Sequence, residues 1–183
     1  MLRYLTRKLP ASATALARCR RGITALESAL VLPPFFLLSF GIFEVSTMFF
    51  AAATLEGQVG EAARQIRTGA VQQSGDPTGT FSTLLCSGMS GLMTCGDAVI
   101  DVRRYDDFGD VNYPDFVDSD GAADNNQFLP GGPGDVVLVR VAYRWKFMTP
   151  LIGHLLGDGS SNSKQLVSTS VFMNEPYGNP GAG

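Results

Sequence analysis

The first third of the chain is dominated by one long apolar segment. Residues 28–43 carry no charged side chain, and between residues 29 and 53 only Glu44 interrupts the apolar pattern. A membrane-spanning helix needs about 20 apolar residues, so the segment is long enough to cross a bilayer. Pro33 and Pro34 are expected to bend this helix, because proline removes a backbone donor and clashes with the preceding turn.

Beyond Glu44 the pattern becomes amphipathic with helical spacing. The apolar positions that share one face are Leu55, Val59, Ala62 or Ala63, and Ile66. We therefore predict one helix over residues 23–69, with a membrane half at about residues 28–53 and Gly69 as the stop. The apolar face of the second half is expected to pack on the protein's own sheet. Packing against neighbouring subunits is a second interpretation that stays open.

Residues 70–183 predict a small α+β head domain with a short antiparallel sheet. The clearest strand is Asp135–Phe147, which alternates apolar and polar side chains and becomes basic on one face towards its end. Leu166–Met173 predicts a second strand and Ala98–Tyr105 a third. Residues 72–80 are typical of a linker, residues 81–95 of a short helix, and Pro150 and the glycines after it of a loop.

Charge is distributed very unevenly along the chain. The net charge is −3, but the first 22 residues hold six Lys/Arg and no acid, whereas the rest holds eight bases and all 17 acids. A basic flank before an apolar span places the N-terminus in the cytoplasm and the acidic remainder across the membrane. The acidic body also argues against nucleic-acid binding, which needs clustered positive charge.

One carboxylate, Glu27, lies at the start of the apolar segment. A charge inside a bilayer costs about 2.5–3.5 kcal/mol on insertion scales and usually marks a functional position with a partner. A new α-amino group, created if the chain is cut after Gly22, would be the obvious partner. Cleavage of the basic leader, residues 1–22, would then create the amine with which the Glu27 carboxylate pairs.

The junction itself reads Arg21-Gly22-Ile23-Thr24-Ala25-Leu26-Glu27-Ser28, followed by the apolar run. It resembles the processing signature of type IV pilin-like proteins, and most closely the TadE-like pseudopilins of the Tad/Flp tight-adherence pilus system. The similarity continues through residues 41–44, 55–64 and 68–69, and returns in residues 135–147 and 174–177. Ser28 is a departure, because relatives usually carry an aromatic residue after the glutamate.

The resemblance implies a minor pseudopilin that takes part in assembly or priming of the pilus. A prepilin peptidase would cut after Gly22, leaving Ile23 as the mature N-terminus. Glu27 would then pair with the α-amino group of a neighbouring subunit. The implied partners are other pilins, the prepilin peptidase and the pilus assembly machinery. The protein would reside in the bacterial inner membrane with its head in the periplasm, and in the extracellular pilus after assembly.

Two alternatives to this interpretation stay open. The N-terminal segment resembles a secretory signal that is removed after Ala53, which would release a secreted enzyme. It also fits an uncut signal-anchor. In that case the chain would be a single-pass membrane protein with an exported binding or sensor domain.

The cysteines agree with export. Cys19 lies in the leader, while Cys86 and Cys95 form the only pair in the exported part. Two cysteines flanking a short loop in an oxidising compartment most simply form a disulfide, worth about 2.7 kcal/mol by chain entropy. His154 is the single histidine and lies far from this pair, so a metal site there is not expected.

Candidate chemistry in the head is limited. Residues 101–124 carry eight aspartates among turn-forming residues, which predicts a long exposed loop. Calcium is a candidate ligand around residues 118–124, but the spacing lacks the bidentate glutamate of an EF-hand. No cofactor motif or catalytic triad accompanies His154, so we expect the protein not to be an enzyme and to bind no cofactor.

Overall fold

The computed structural model describes residues 20–89, 91–158 and 162–178. The leader residues 1–19, with Cys19, and the tail 179–183 lie outside this range. The chain divides into two units, Met1–Phe43 and Glu44–Gly183. The architecture is α+β, with a long apolar N-terminal helix, a head built on a three-stranded antiparallel sheet, and a disulfide. The predicted fold class is confirmed.

Helix α1 runs from Arg20 to Arg67 and is assigned without a break through Pro33 and Pro34. Its last turn carries the basic residues Arg64 and Arg67. Their positive charges interact favourably with the negative end of the helix dipole. Gly69 stops the helix in the left-handed conformation, with φ of 81°. The ring of Tyr177 packs so closely on Gly69 that a Cβ there would overlap it. The prediction of a glycine stop is confirmed.

The second half of α1 supplies one wall of the head's core. The buried residues on this face are Ala51, Leu55, Val59, Ala62, Ala63 and Ile66, and they cluster with core residues of the sheet, including Val137, Val139 and Val141. The expected packing on the protein's own sheet is therefore confirmed.

Helix α2 spans Pro77–Met89, so the predicted linker over residues 72–80 was too long. The side chain of Asp76 accepts the backbone N–H of Gly79 at 3.0 Å, and Pro77 occupies the first helical position. An aspartate cap followed by proline is a strong helix start, and it outweighs the glycine-rich composition. Phe81, Leu85 and Met89 of α2 are buried in the core.

The sheet has the order β1-β2-β3, with β1 at Ala98–Tyr105, β2 at Val136–Lys146 and β3 at Ser163–Met173. Both neighbouring pairs are antiparallel. All three predicted strands are present, although β3 begins three residues earlier than predicted. The predicted loop between β2 and β3 contains a short helix, α3, at Pro150–Leu156, which begins with proline at its first turn.

Strand β2 is buried on both faces from Val136 to Tyr143, and its side chains become accessible only in the last three residues, Arg144–Lys146. Val137, Val139 and Val141 face the helices, while Leu138 and Arg140 on the other face are also buried. Residues of the long β1–β2 connection cover this second face. The connection was predicted to be an exposed loop, but it is exposed only in part, because its Phe116 is buried.

Candidate functional site

The predicted processing residues Gly22 and Ile23 lie in the first turn of α1, and Glu27 lies one turn further on. Residues four apart in a helix lie on the same side of it. Ile23 and Glu27 are both exposed. Within the part of the chain that the structure describes, the Glu27 carboxylate has no hydrogen bond or ion pair. The segment therefore presents an unpaired acid beside the residue where the predicted cleavage would create an amine.

The surroundings of Glu27 are apolar on every side of the helix. From Ile23 to Phe43 the exposed large side chains are Ile23, Leu26, Leu30, Val31, Leu32, Phe35, Phe36, Leu37, Leu38, Phe40, Ile42 and Phe43. A helix that is apolar all round is either buried among other helices or embedded in lipid. The helix over Ile23–Arg67 contains a window of mean hydropathy 1.8, long and apolar enough to cross a membrane.

Glu44 is a second acid in α1, and its environment differs completely from that of Glu27. Its side chain is only 4 % exposed. Its Oε1 atom accepts the backbone N–H of Met148, and its two carboxylate oxygens lie 3.1 and 3.2 Å from the backbone nitrogen of Thr149. Glu44 therefore binds the chain just before α3, whose N-cap residue Thr149 makes no side-chain capping bond of its own.

From the sequence, Glu44 is recognised only as an interruption of the apolar run. Its partners lie 104 and 105 residues away, and they are backbone groups, so no side-chain pattern identifies them. The available signal was a lone carboxylate in an apolar helix, which needs donors nearby. The same signal led to a predicted partner for Glu27, whereas no partner was predicted for Glu44.

Cys86 and Cys95 form a disulfide, with their Cα atoms 5.5 Å apart. It joins the last turns of α2 to the short 3₁₀ helix Cys95–Asp97 that leads into β1. The bond thus fixes the edge of the sheet to the helical layer. The predicted pairing is present in the structure.

A buried ionic cluster connects the long loop to the second face of the sheet. Asp101 is fully buried, and its Oδ2 atom accepts from Nε and Nη2 of Arg140 at 3.1 and 2.6 Å. Nε of Arg103 lies 3.0 Å from each carboxylate oxygen of Asp101. Arg140 also donates to the carbonyl of Pro114 at 2.8 Å, and its guanidinium lies 4.2 Å from the ring centre of Phe116. This cluster stabilises the loop; it does not form an open site.

Two aspartates of the loop in which calcium was considered accept local backbone hydrogen bonds. Oδ1 of Asp118 accepts the backbone N–H groups of Asp120 and Ala122 at 2.9 and 2.8 Å. Asp107 likewise accepts from Gly109. These are local turn bonds of the kind that aspartate makes without a metal. Among the residues that the structure describes, no group of three His, Cys, Asp or Glu side chains could hold a metal ion.

Outside that loop, Asp135 has a clear electrostatic role. A hydrogen bond from Arg104 at 2.6 Å and one from the backbone of Gly132 at 2.7 Å hold the pKa of the Asp135 carboxyl below its ordinary value of 3.8. The same contact raises the pKa of Arg104. Because Asp135 directly precedes β2, this ion pair fixes the end of the long loop where the central strand begins.

An open groove on the head has a volume of about 720 Å³ and lies between the start of β1 and residues 120–128. Asp97, Asp120, Arg144 and Lys146 contribute charges of both signs to its lining. His154 is exposed on α3 and is not among the lining residues. This groove therefore does not combine a nucleophile with the histidine that could activate it.

The comparisons with known proteins bear on the helix. The family model described as TadE-like protein matches residues 22–64. Residues 22–64 are TadE-like. The match begins at Gly22, includes both Glu27 and Glu44, and ends three residues before α1 does. No curated protein matches the chain, and no solved structure does.

The TadE-like match confirms the resemblance drawn from the N-terminal residues. The matched residues lie in the helix that is long and apolar enough to cross a membrane. The match ends within α1, so the sheet, the disulfide and the ionic cluster of the head lie outside it.

Proposed function

We propose that the chain is a minor pseudopilin that takes part in assembly or priming of a Tad-type pilus after cleavage by a prepilin peptidase. The observation that carries the proposal is Glu27. Within the described part of the chain its carboxylate is unpaired, and between Ile23 and Phe43 it is the only charged side chain. It lies one turn from the residue that cleavage after Gly22 would make the N-terminus. The TadE-like match over the same residues supports it.

In this proposal, the α-amino group of Ile23 in one subunit pairs with Glu27 of its neighbour. An ion pair is much stronger in a low-dielectric environment than in water, so it would favour one register between adjacent helices. A Glu27 left unpaired among lipid tails would be costly, which favours the assembled state. The exposed apolar side chains of the segment would pack in lipid before assembly and against neighbouring helices afterwards.

We place the membrane-spanning segment at Ile23–Phe43 and not as far as residue 53. At about 1.5 Å per residue this segment is roughly 30 Å long, which matches the hydrocarbon core of a bilayer. Glu44 and Ala51 are buried within the head unit, so the helix beyond Phe43 has protein partners of its own. The basic leader favours a cytoplasmic N-terminus and a periplasmic head, where the Cys86–Cys95 disulfide would be stable.

The experiment that tests the proposal is determination of the N-terminus of protein recovered from membranes, by intact mass and N-terminal peptide mapping. A chain that begins at Ile23 is expected. A chain that retains residues 1–22 would contradict peptidase processing. It would favour the second candidate, an uncleaved single-pass anchor that carries an exported binding or sensor domain. A chain that begins after Ala53 would instead indicate secretion of the head.

The two leading candidates also differ in what Glu27 does. In an uncleaved anchor no amine forms at Ile23, so the charge has only a cost in lipid. Substituting Glu27 would then leave the head's function unchanged. In a pilus component the same substitution would prevent incorporation while the protein stays in the membrane.

A further inference from the structure

The short helix α3 carries an exposed apolar patch that the fold leaves uncovered. We define the Met148–Leu156 patch by four side chains and their exposed fractions: Met148 81 %, Leu151 48 %, Leu155 72 % and Leu156 43 %. Single exposed apolar residues are normal on protein surfaces, but four within nine consecutive positions form a contiguous patch that needs a partner.

The orientation of this patch is fixed by contacts on the opposite side of α3. Gly153 is buried, and a Cβ added there would overlap the side chain of Asn162. The Asn162 side chain in turn donates to the carbonyl of Phe147 at 2.7 Å. Leu151 and Leu155 are four residues apart and share a face, while Gly153 lies on the other side. The helix therefore packs through Gly153 and presents its leucines outwards.

The patch is also connected to the place where the apolar run of α1 ends. The carboxylate of Glu44 accepts the backbone N–H groups of Met148 and Thr149, which immediately precede α3. Glu44 directly follows Phe43, the last residue of the proposed membrane segment. Glu44, the first residue of the head unit, is therefore hydrogen-bonded to the start of the patch.

We propose that the Met148–Leu156 patch lies in the interfacial layer of the same bilayer that α1 crosses, as a second and shallow membrane contact of the head. The inference rests on the proposed membrane anchorage of α1. Lipid is the expected partner, because the end of a spanning helix lies at the membrane surface. Glu44 follows that end and binds the start of the patch. Helices with one apolar face bind this layer by burying that face about 5–10 Å deep.

The residues next to the patch suit that layer. Lys146, two residues before Met148, is exposed, and His154 is exposed on α3 itself. Lysine extends its ammonium group towards the lipid phosphates while its stem lies along apolar surface. The patch thus combines apolar side chains with an adjacent basic group.

The test uses the full-length chain in vesicles of phosphatidylethanolamine and phosphatidylglycerol. Nitroxide labels are attached in a Cys19→Ser background to Leu151→Cys, Leu155→Cys, Phe36→Cys or Val167→Cys. Collision rates with oxygen, which partitions into lipid, and with a water-soluble nickel chelate report the depth of each label. Phe36 lies in the proposed membrane segment, and Val167 is an exposed apolar residue on β3 that serves as the matched control.

We expect oxygen to dominate at residues 36, 151 and 155, with 151 and 155 shallower than 36, and the nickel chelate to dominate at residue 167. Dominance of the nickel chelate at 151 and 155, with oxygen still dominant at 36, would overturn the patch proposal and leave the membrane anchorage of α1 standing. Dominance of the nickel chelate at 36 as well would instead refute the anchorage on which the proposal rests.

Discussion

The carboxylate of Glu44 and the backbone N–H of Thr149 meet at 3.1 Å although the two residues are 105 positions apart. This contact joins the long N-terminal helix to the chain after the central strand. Glu44 is buried, and its two acceptor oxygens have backbone donors, so the charge is compensated without a basic side chain. The head unit begins at this residue.

We predict that Glu44→Ala destabilises the head by about 1–3 kcal/mol, because the substitution leaves backbone donors of Met148 and Thr149 without their acceptor. The measurement is denaturant unfolding of the full chain in detergent, followed by Trp145 fluorescence. Glu56→Ala is the control, since Glu56 is exposed on the same helix. Equal unfolding midpoints for the two variants would show that the Glu44 contact contributes nothing.

Glu27 should behave in the opposite way. Glu27→Gln keeps the side-chain volume but removes the charge that the proposed pairing requires. Breaking a buried ion pair costs about 3–5 kcal/mol, so incorporation into pili should fall at least about tenfold. The amount of protein in the membrane should not decrease, because a neutral side chain is cheaper in lipid. The measurement compares protein in sheared pili with protein in the membrane fraction.

The control for this comparison is Glu56→Gln, which also removes one acid from α1 but outside the proposed membrane segment. Pili that contain normal amounts of the Glu27→Gln protein would contradict the pairing. A variant that is lost from both fractions would point to degradation, and the comparison would then be repeated with Glu27→Asp, which keeps the charge.

The elements predicted correctly from the sequence are those with a repeated local pattern. β2 alternates over its whole length, and α1 keeps one apolar face up to Ile66, so both were found within a few residues. α2 begins earlier than predicted because the Asp76 cap and Pro77 start a helix within residues whose composition resembles a linker. α3 was missed because Gly153 suggests a loop, whereas it permits close packing on Asn162.

The contacts that could not be predicted are those between residues distant in sequence. Arg140 lies on the face of β2 that turns basic, and the pattern gave no sign that it is buried and paired with Asp101 of the neighbouring strand. The strand pattern gives each residue's face but not the identity of the loop that covers it. Similarly, Glu44 could be recognised as unusual, but its backbone partners have no sequence signature.

The buried cluster around Asp101 gives an asymmetric prediction. Asp101→Leu leaves the guanidinium groups of both Arg103 and Arg140 without their carboxylate, whereas Arg140→Leu leaves Asp101 paired with Arg103. Removing one partner of a buried ion pair costs about 3–5 kcal/mol, so Asp101→Leu should approach that loss and Arg140→Leu should lose clearly less. Unfolding free energies of the two variants, with Asp106→Asn on the exposed loop as control, provide the measurement. A larger loss of unfolding free energy for Arg140→Leu than for Asp101→Leu would show that Arg103 does not compensate the Asp101 charge.

The disulfide should contribute to stability by restricting the unfolded chain. Replacing both Cys86 and Cys95 by alanine should lower the free energy of unfolding by about 2–3 kcal/mol, as expected for a loop of this length. Cys19→Ala should leave it unchanged, since that cysteine lies in the leader. Unfolding of the oxidised protein with and without a reductant should reproduce the loss. A reductant effect of equal size in the double variant would show that another process is responsible.

The ion pair between Asp135 and Arg104 predicts how stability depends on pH. The folded protein holds the pKa of Asp135 below its ordinary value of 3.8, so the contribution of this carboxylate is complete above that value and is lost as the pH falls through the lower, folded pKa. Thermal unfolding of the full chain between pH 7 and about pH 2 should therefore show a fall in midpoint at the acid end.

Asp135→Asn should be less stable at pH 7 and should lose less stability on acidification, because its side chain does not titrate. Asp106→Asn, which removes an exposed partner of the same arginine, should keep the acid-end loss of the natural sequence. If Asp135→Asn and the natural sequence lost equal stability between these pH values, the acid sensitivity would belong to other carboxylates.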